Sequence, residues 1–504
     1  MVISKSEYMM FLKHPAWLWL KKFDKNKLPE VDESLQLRFD EGSLFESYAE
    51  KIFPDAVKLG YKKDGNVFSG TMYYALPETT LKEIKKGTKV ILQGRLEADN
   101  LTSIFDVLEK VEDKIFDLYE IKSSTKVKDE HIPDLAFQTI VIENSNFKVR
   151  NTYVLYVNKE YVRKGEIEPA GISKKENVTE KVREAIPETL ENIGKALKVL
   201  ESKTMPDISP RHLNGDMGEW LDIYQIIKGK LPQYSIYKLA GLKPEIAAWL
   251  EDNGIEALHD VPLDGPLNER QLRQVMTMKS GEQKIDREEI KNFLDDLEYP
   301  LHFFDYETAM GVIPAFDGYK PYQQIPFQYS LHILPKPGGE LTHKEYLHTD
   351  NSDPVPELLK HLQKDFEGKG SVISWSMKFE KARNTQMAEQ YPKYAKILQN
   401  INDRMVDLMI PFSKGWFVDK DFFGSASIKA VLPVLLPELS YKKLEIGGGA
   451  DAQRIWMETV LKGLNSGWDP NSTEREKIFA DLRKYCTLDT YAMYAIYQYL
   501  LKVI

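Results

Sequence analysis

The chain is short of cysteine: Cys486 is the only one in 504 residues. That excludes an intrachain disulfide and any zinc or iron–sulfur site built from several thiolates. Long apolar runs are missing too; none approaches the ~20 residues that a membrane helix needs. The opening residues, Met1-Val2-Ile3-Ser4-Lys5-Ser6-Glu7, lack the apolar stretch of a secretory signal. These absences lead to the expectation of a cytoplasmic protein with no membrane partner. There is no excess of basic residues either. A net charge of −9 excludes a uniformly basic nucleic-acid coat, although local basic grooves, or cations held by carboxylates, still meet phosphates. What remains is an ordinary globular composition, long enough for roughly two to four domains.

The pattern of elements divides the chain into three blocks and predicts a multidomain α/β protein. Residues 1–205 open with helical stretches over Ser4–Phe23 and Glu41–Ile52. Strand-like runs follow at Asn66–Phe68, Lys89–Leu96, Ser103–Leu108, Phe116–Lys122 and Phe137–Glu143, and a charged helix over about Glu176–Leu200 closes the block. The Pro-rich Met205-Pro206-Asp207-Ile208-Ser209-Pro210 marks a boundary. Residues 206–295 read as short amphipathic helices, a region that serves either as a spacer or as a hairpin gripping a nucleic-acid backbone. Residues 296–504 alternate strands (Leu301–Tyr306, Phe327–Leu334, Val372–Trp375, Met405–Leu408) with helices (Pro354–Phe366, Lys378–Gln390, Ser427–Leu432, Ala452–Leu461, Ser472–Tyr499). Such alternation predicts a sheet flanked by helices.

Two short patterns in the last block carry chemistry. In Phe304-Asp305-Tyr306-Glu307 the carboxylates are two apart on a strand and therefore share a face. In Tyr485-Cys486-Thr487-Leu488-Asp489 the phenol and carboxylate are four apart on a helix and stack on one side. Carboxylates converging from a strand and a helix can hold paired divalent metals and a water, which points to phosphodiester hydrolysis. Asp407, in Arg404-Met405-Val406-Asp407-Leu408-Met409, is a further candidate for the site, with a structural strand-end aspartate the favoured reading.

Together these motifs resemble the DEDD exonuclease superfamily, in the variant whose last motif carries tyrosine. The resemblance covers roughly the last 200 residues and implies an RNase H-like mixed sheet flanked by helices. Its middle motif matches Ile373-Ser374-Trp375-Ser376-Met377-Lys378-Phe379-Glu380, with Glu380 where the superfamily usually has aspartate. The resemblance implies that Asp305, Glu307 and Asp489 hold Mg2+ or Mn2+ with Glu380 nearby. It also implies that Tyr485 orients the attacking water of a 3′–5′ exonuclease.

A second constellation lies in the first block, where Ile104-Phe105-Asp106-Val107 precedes Tyr119-Glu120-Ile121-Lys122. On paired strands, Asp106 and Glu120 can bind a metal while Lys122 positions water or offsets phosphate charge. This resembles the RecB-like branch of the PD-(D/E)xK nucleases, which implies a restriction-endonuclease-like α/β/α domain. That branch carries a Gly-x-x-x-His helix motif; here Gly42-Ser43-Leu44-Phe45-Glu46 places Glu46 at the histidine, still a ligand for a hard cation. Its Gln-x-x-x-Tyr motif is half met, since Gln138 is followed by Ile142. Many relatives tether the domain ends with a four-cysteine iron–sulfur cluster. The matching stretches, Leu12–Trp19 and Pro210–Asp216, hold no cysteine. No cluster is expected, and packing of Trp17, Trp19 and Trp220 is expected in its place.

The two-domain arrangement resembles a bacterial family known as a domain of unknown function. The most specific match is Asp305–Glu307 through Ile313-Pro314 to the run Pro321–Ser330, and the run Gly424–Pro433 supports it. The expectation is a metal-dependent nuclease acting on DNA or RNA, on single strands or ends, with protein partners unspecified. The departures at Glu46, Glu380 and Ile142 motivate the alternative, a non-catalytic nucleic-acid-binding or scaffold protein on decayed nuclease folds.

Overall fold

The computed structural model describes residues 1–30, 33–60, 70–215, 217–229, 231–366, 368–441, 444–462 and 473–504. It is a mixed α/β protein of two compact units. Unit 1 comprises Met1–Leu231 and Gly311–Tyr322; unit 2 comprises Pro232–Met310 and Gln323–Ile504. No helix among the described residues is long and apolar enough to cross a membrane.

Unit 1 is built on a seven-stranded sheet. Its strands are β1 (Ile3–Ser4), β2 (Val57–Lys58), β3 (Val90–Ala98), β4 (Leu101–Glu112), β5 (Ile115–Lys122), β6 (Lys148–Val157) and β7 (Ser173–Asn177). The order is β2-β3-β4-β5-β6-β7, with β1 parallel to the start of β4. Strands β3, β4 and β5 form an antiparallel meander. Its first turn is Asp99-Asn100, both at positive φ (50° and 62°), the backbone that a two-residue hairpin loop needs.

The expected strand at Phe137–Glu143 is a helix, His131–Asn144. Ten of its residues are buried, from His131 and Asp134 through Ile142. A helix buried nearly all round shows no polar face and reads like a short buried strand. It is the crossover from β5 to the parallel β6, a strand that the sequence pattern did not predict. The expected strand at Asn66–Phe68 lies outside the described residues.

The N-terminal helical stretch breaks at His14-Pro15 into helices Lys5–Lys13 and Pro15–Phe23. His14 caps the second helix, its Nδ1 accepting the Ala16 amide at 3.1 Å. Its Nε2 faces the Ser209 carbonyl at 3.0 Å, so the neutral Nε2–H tautomer satisfies both nitrogens. The ring stacks on Trp220 at 3.7 Å, with Trp17 6.0 Å from the same indole. Trp220 donates to the Ile208 carbonyl at 2.9 Å, and the Asn214 amide donates to the Lys13 carbonyl at 2.9 Å. Trp19 donates to the Ser202 carbonyl at 3.2 Å. Both ends of unit 1's long N-terminal segment are thereby fastened together.

Unit 2 begins with small helices, among them Pro244–Asp252, Glu269–Ser280 and Arg287–Asp295. The first two pack around Ile236, Leu250, Leu258 and Val275. Its strands are β8 (Lys284–Ile285), β9 (Leu301–Ala309), β10 (Ile325–Leu334), β11 (Thr342–Leu347), β12 (Val372–Ser374), β13 (Met405–Asp407) and β14 (Phe417–Val418). The main sheet runs β11-β10-β9-β12-β13, antiparallel on the β10 side and parallel on the β12 side. Central β9 is buried on both faces, and its residues alternate between two layers. Phe303 meets Tyr494 and Tyr497 of the long helix Thr473–Val503. Phe304 meets Phe366, beside helix Val355–Asp365.

After β9 the chain leaves unit 2 at Met310, spends Gly311–Tyr322 in unit 1 and returns as β10. This excursion is well anchored in unit 1. Val312 is buried in a core with Phe45, Val107 and Tyr119, and its amide donates to Glu41 at 2.5 Å. Arg163 donates to the carbonyls of Pro314 and Ala315 at 2.8 and 2.7 Å. The Tyr322 hydroxyl donates to the Ser123 carbonyl at 2.5 Å.

Burial lowers the His14 pKa to about 4. The unfolded chain therefore takes up this proton first as pH falls, and the associated stability is present above about 6.5 and lost on the way to 4, a swing of about 3 kcal/mol. Hydrogen exchange of the Pro15–Phe23 amides should show wild-type protection dropping across that window. His14→Gln, which cannot titrate, should give a much flatter profile; equal slopes would refute the linkage.

Candidate functional site

In unit 2, β9 carries Asp305 and Glu307 on the face turned to the Thr473–Val503 helix. That helix presents Tyr485, Cys486 and Asp489, all buried. One ligand atom each of Asp305, Glu307 and Cys486 lies within 4.8 Å of the others, the one such cluster found among the described residues. Glu380 sits in the first turn of helix Lys378–Gln390, just after β12, and is 2 % exposed. Its carboxyl reaches that of Asp305. Asp489 joins from the long helix, its Oδ1 accepting the Tyr441 hydroxyl at 2.5 Å. Tyr485 is a second phenol at the same carboxyl, its ring 6.1 Å from that of Tyr441.

The electrostatics follow from four carboxyls sharing one largely buried volume. Burial, then the Glu380 charge, pushes Asp305 well above the carboxylate range. Burial, then the charges of Asp305 and Asp489, does the same to Glu307. Burial raises Glu380 to about 7, and burial with Asp305 raises Asp489 to about 8. The Cys486 thiol is also pushed up by burial and the Glu307 and Asp305 charges, so it stays protonated and a weak ligand. Burial and Asp489 keep both phenols protonated as donors. Asp407 is engaged elsewhere: its Oδ1 accepts the amides of Ser376 and Met409 at 2.9 and 3.0 Å and shapes the turn after β12.

Hard, buried, under-neutralised oxygens are the donor set of Mg2+ and Mn2+. Asp305 and Glu307 fit such a cation best, with Glu380 and Asp489 at their flanks. Lys429 and Tyr441 were not picked out from sequence. Lys429 acts on both Glu307 and Asp489, and its only sequence signal is its place in the run Gly424–Pro433.

In unit 1, Asp106 lies one step beyond the Val107–Tyr119 pair, and its Oδ2 accepts the Ile121 amide at 2.6 Å. Glu120 Oε1 receives Lys122 at 2.7 Å and Lys5 at 2.8 Å, and its Oε2 receives Gln138 at 2.6 Å. Lys122 also donates to Asp134 at 2.9 Å, as does Gln138. Burial opposes ionisation of Glu120, but the Lys122 and Lys5 charges outweigh it and hold this carboxyl low. Asp106 is raised by burial and by Glu120. Glu46 is raised by burial and by Glu50, and it accepts from the Gln93 amide. Glu46, Asp106, Glu120, Lys122 and Gln138 thus share one neighbourhood, in which Lys5 and Lys122 already pair with Glu120 and Asp134. Lys5 and Asp134 were missed; Asp134 and Gln138 are four apart, a signal visible only once that segment is read as a helix.

Residues 302–427, about a quarter of the chain, match the family described as Domain of unknown function (DUF2779). The match includes Asp305, Glu307 and Glu380 and stops short of Tyr485 and Asp489. No curated protein matches the chain.

Because the unit 2 carboxyls titrate higher in the fold than in the unfolded chain, the unfolded chain holds fewer of their protons. Their contribution therefore erodes as pH rises from about 4.5 through about 8. Asp305→Asn removes one of the crowded charges. In metal-free protein it should gain roughly 1–3 kcal/mol over wild type at pH 8 and much less at pH 5. Added Mn2+ should stabilise wild type and leave the variant unmoved. Thermal melts at both pH values check this, and a gap that does not widen with pH counts against the buried-charge account.

Proposed function

We propose that the protein is a divalent-metal-dependent nuclease whose principal centre is the acidic cluster of unit 2. The observation that carries this reading is the convergence of Asp305 and Glu307, flanked by Glu380 and Asp489, in a buried volume lacking enough positive charge to balance them. A cation bound there supplies Lewis acidity, activating water and offsetting charge on a phosphoryl group. Asp305, Glu307 and Asp489 would hold Mg2+ or Mn2+, and Glu380, set by the first turn of its helix, would complete the set. Tyr485, kept protonated with its one O–H turned to Asp489, would orient the attacking water by accepting a hydrogen bond from it. Tyr441 fixes Asp489 by the bond it donates, so the carboxylate does not swing. This role set agrees with an RNase H-like DEDD domain and a 3′–5′ exonuclease acting on single strands or ends of DNA or RNA, in a cytoplasmic setting.

For unit 1 the PD-(D/E)xK reading is supported by Asp106, Glu120 and Lys122 lying together on adjacent strands. One observation favours a second reading of that centre, as a metal-free phosphate-binding or structural site. Lys5 and Lys122 already bond Glu120 and Asp134 (2.7–3.3 Å), and a cation must displace them to enter.

Purified full chain with Mg2+ or Mn2+ should degrade single-stranded DNA or RNA. Asp305→Ala or Glu307→Ala should cost at least about a hundredfold in kcat, and Lys122→Ala should spare this activity unless unit 1 is the catalyst. Wild type that binds metal yet degrades no nucleic acid overturns the proposal.

A further inference from the structure

The mouth of the unit 2 cluster holds an exposed cation. Lys429 is the second residue of helix Ile428–Leu435. Its Nζ lies 5.8 Å from the Tyr441 ring and 5.9 Å from the Tyr485 ring, and it donates to the Gly447 carbonyl at 2.9 Å. An ammonium has three N–H donors, and among the described residues this is the one hydrogen bond Lys429 makes; it forms no ion pair there. Its charge reaches Glu307 and Asp489 without being spent on either.

Facing it is the turn Gly447-Gly448-Gly449. Gly448 has extended backbone (φ −175°, ψ 168°) that any residue adopts, so conformation does not require glycine. A Cβ on Gly448 would stand 2.8 Å from Lys429 Nζ, the end of a flexible side chain that would have to shift. A Cβ on Gly449 would stand 3.6 Å from Glu307 Oε2. Glu307 is 6 % exposed, and its carboxylate accepts no hydrogen bond among the described residues. A turn with no side chains of its own (Asp451 Oδ2 stands 3.3 Å from where a Cβ on Gly447 would be), a cation with spare donors and an unpartnered carboxylate below them leave room for one more group. Carboxylates on the floor select a cation, and the lysine above selects an anion.

We infer that Lys429 binds a non-bridging phosphate oxygen of the substrate at the mouth of the acidic centre, the Gly447–Gly449 turn being free of side chains so that a phosphate ester enters beside it. This deepens the nuclease reading of the same centre and rests on it for the identity of the ester. Lysine meets phosphate as a point charge, and an exposed contact of this kind weakens with salt. Because Lys429 is cationic and above the carboxylates, its removal relieves rather than harms cation binding. A purely structural lysine would behave differently, its loss weakening both.

The test is calorimetric titration of a deoxynucleoside 5′-monophosphate into the Mn2+-loaded full chain, together with titration of Mn2+ alone. Lys429→Gln should weaken nucleotide binding about tenfold or more and flatten its salt dependence, and Lys429→Arg should retain most of it. Gly448→Ala, which crowds the ammonium out of place, should weaken it as well. Mn2+ affinity should be unchanged or tighter in all three. Nucleotide affinity undiminished in Lys429→Gln, no nucleotide binding by wild type, or parallel loss of Mn2+ and nucleotide would each overturn the inference. A cleavage assay separates the two claims. Wild type that binds nucleotide through Lys429 but hydrolyses neither single-stranded DNA nor RNA removes the nuclease reading and leaves the anion seat. Cleavage by Lys429→Gln with unchanged kcat and KM removes the seat and leaves the nuclease.

Discussion

Crowding of like charge in a largely buried place dominates unit 2. Asp305 and Glu307 occupy the central strand of a sheet covered on both faces, where an apolar residue would be the stable choice. Isolated buried carboxylates cost several kcal/mol each unless paired or neutralised. The fold meets that cost in part by raising the proton affinity of all four acids and by donating two phenols to Asp489. The placement of β12, the helix that starts at Lys378 and the Thr473–Val503 helix all make sense as ways of bringing oxygen ligands to one point. A cluster left under-neutralised is the setting in which the proposed cation would offset charge, and the exposed lysine at its rim is the proposed counterpart for an anion.

Unit 1 solves a similar problem by the opposite route. Glu120 and Asp134 are as buried as their counterparts in unit 2, yet Lys5, Lys122 and Gln138 satisfy them within the chain. The Lys122 and Lys5 charges hold Glu120 in its charged form, while burial and Glu120 push the neighbouring Asp106 up. The contrast shows why two acid-rich centres in one chain need not share a chemistry. What distinguishes them is the balance of positive charge already present, more than the number of carboxylates.

Local periodicity explains what was legible in the sequence. The two-residue spacing of Asp305 and Glu307 and the four-residue spacing of Tyr485 and Asp489 are properties of single elements, and a strand and a helix were readable there. Glu380 was findable because a strand-to-helix junction leaves a local mark. Lys429 and Tyr441 reach the cluster through tertiary packing of segments some fifty residues from Asp489, which leaves no periodic trace. The helix His131–Asn144 was misread because complete burial erases the polar face that signals a helix. That error hid Asp134 from the unit 1 constellation. Strand β6 escaped notice because its first half, Lys148-Val149-Arg150-Asn151, is mostly polar, although Val154, Leu155 and Val157 are buried.

The excursion Gly311–Tyr322 sets an order of completion during synthesis. Residues 1–231 leave the ribosome first, yet the core of unit 1 lacks Val312, and Ser123 lacks its tyrosine partner, until residue 322 has been made. By then β9, with both of its acids, already exists. Domains generally fold as units from the N-terminus onward, but here the earlier unit must wait for a strand belonging to the later one. Their folding schedules are therefore interlocked by covalent connectivity alone, and the earlier unit is never finished in a chain whose acidic strand has not yet been built.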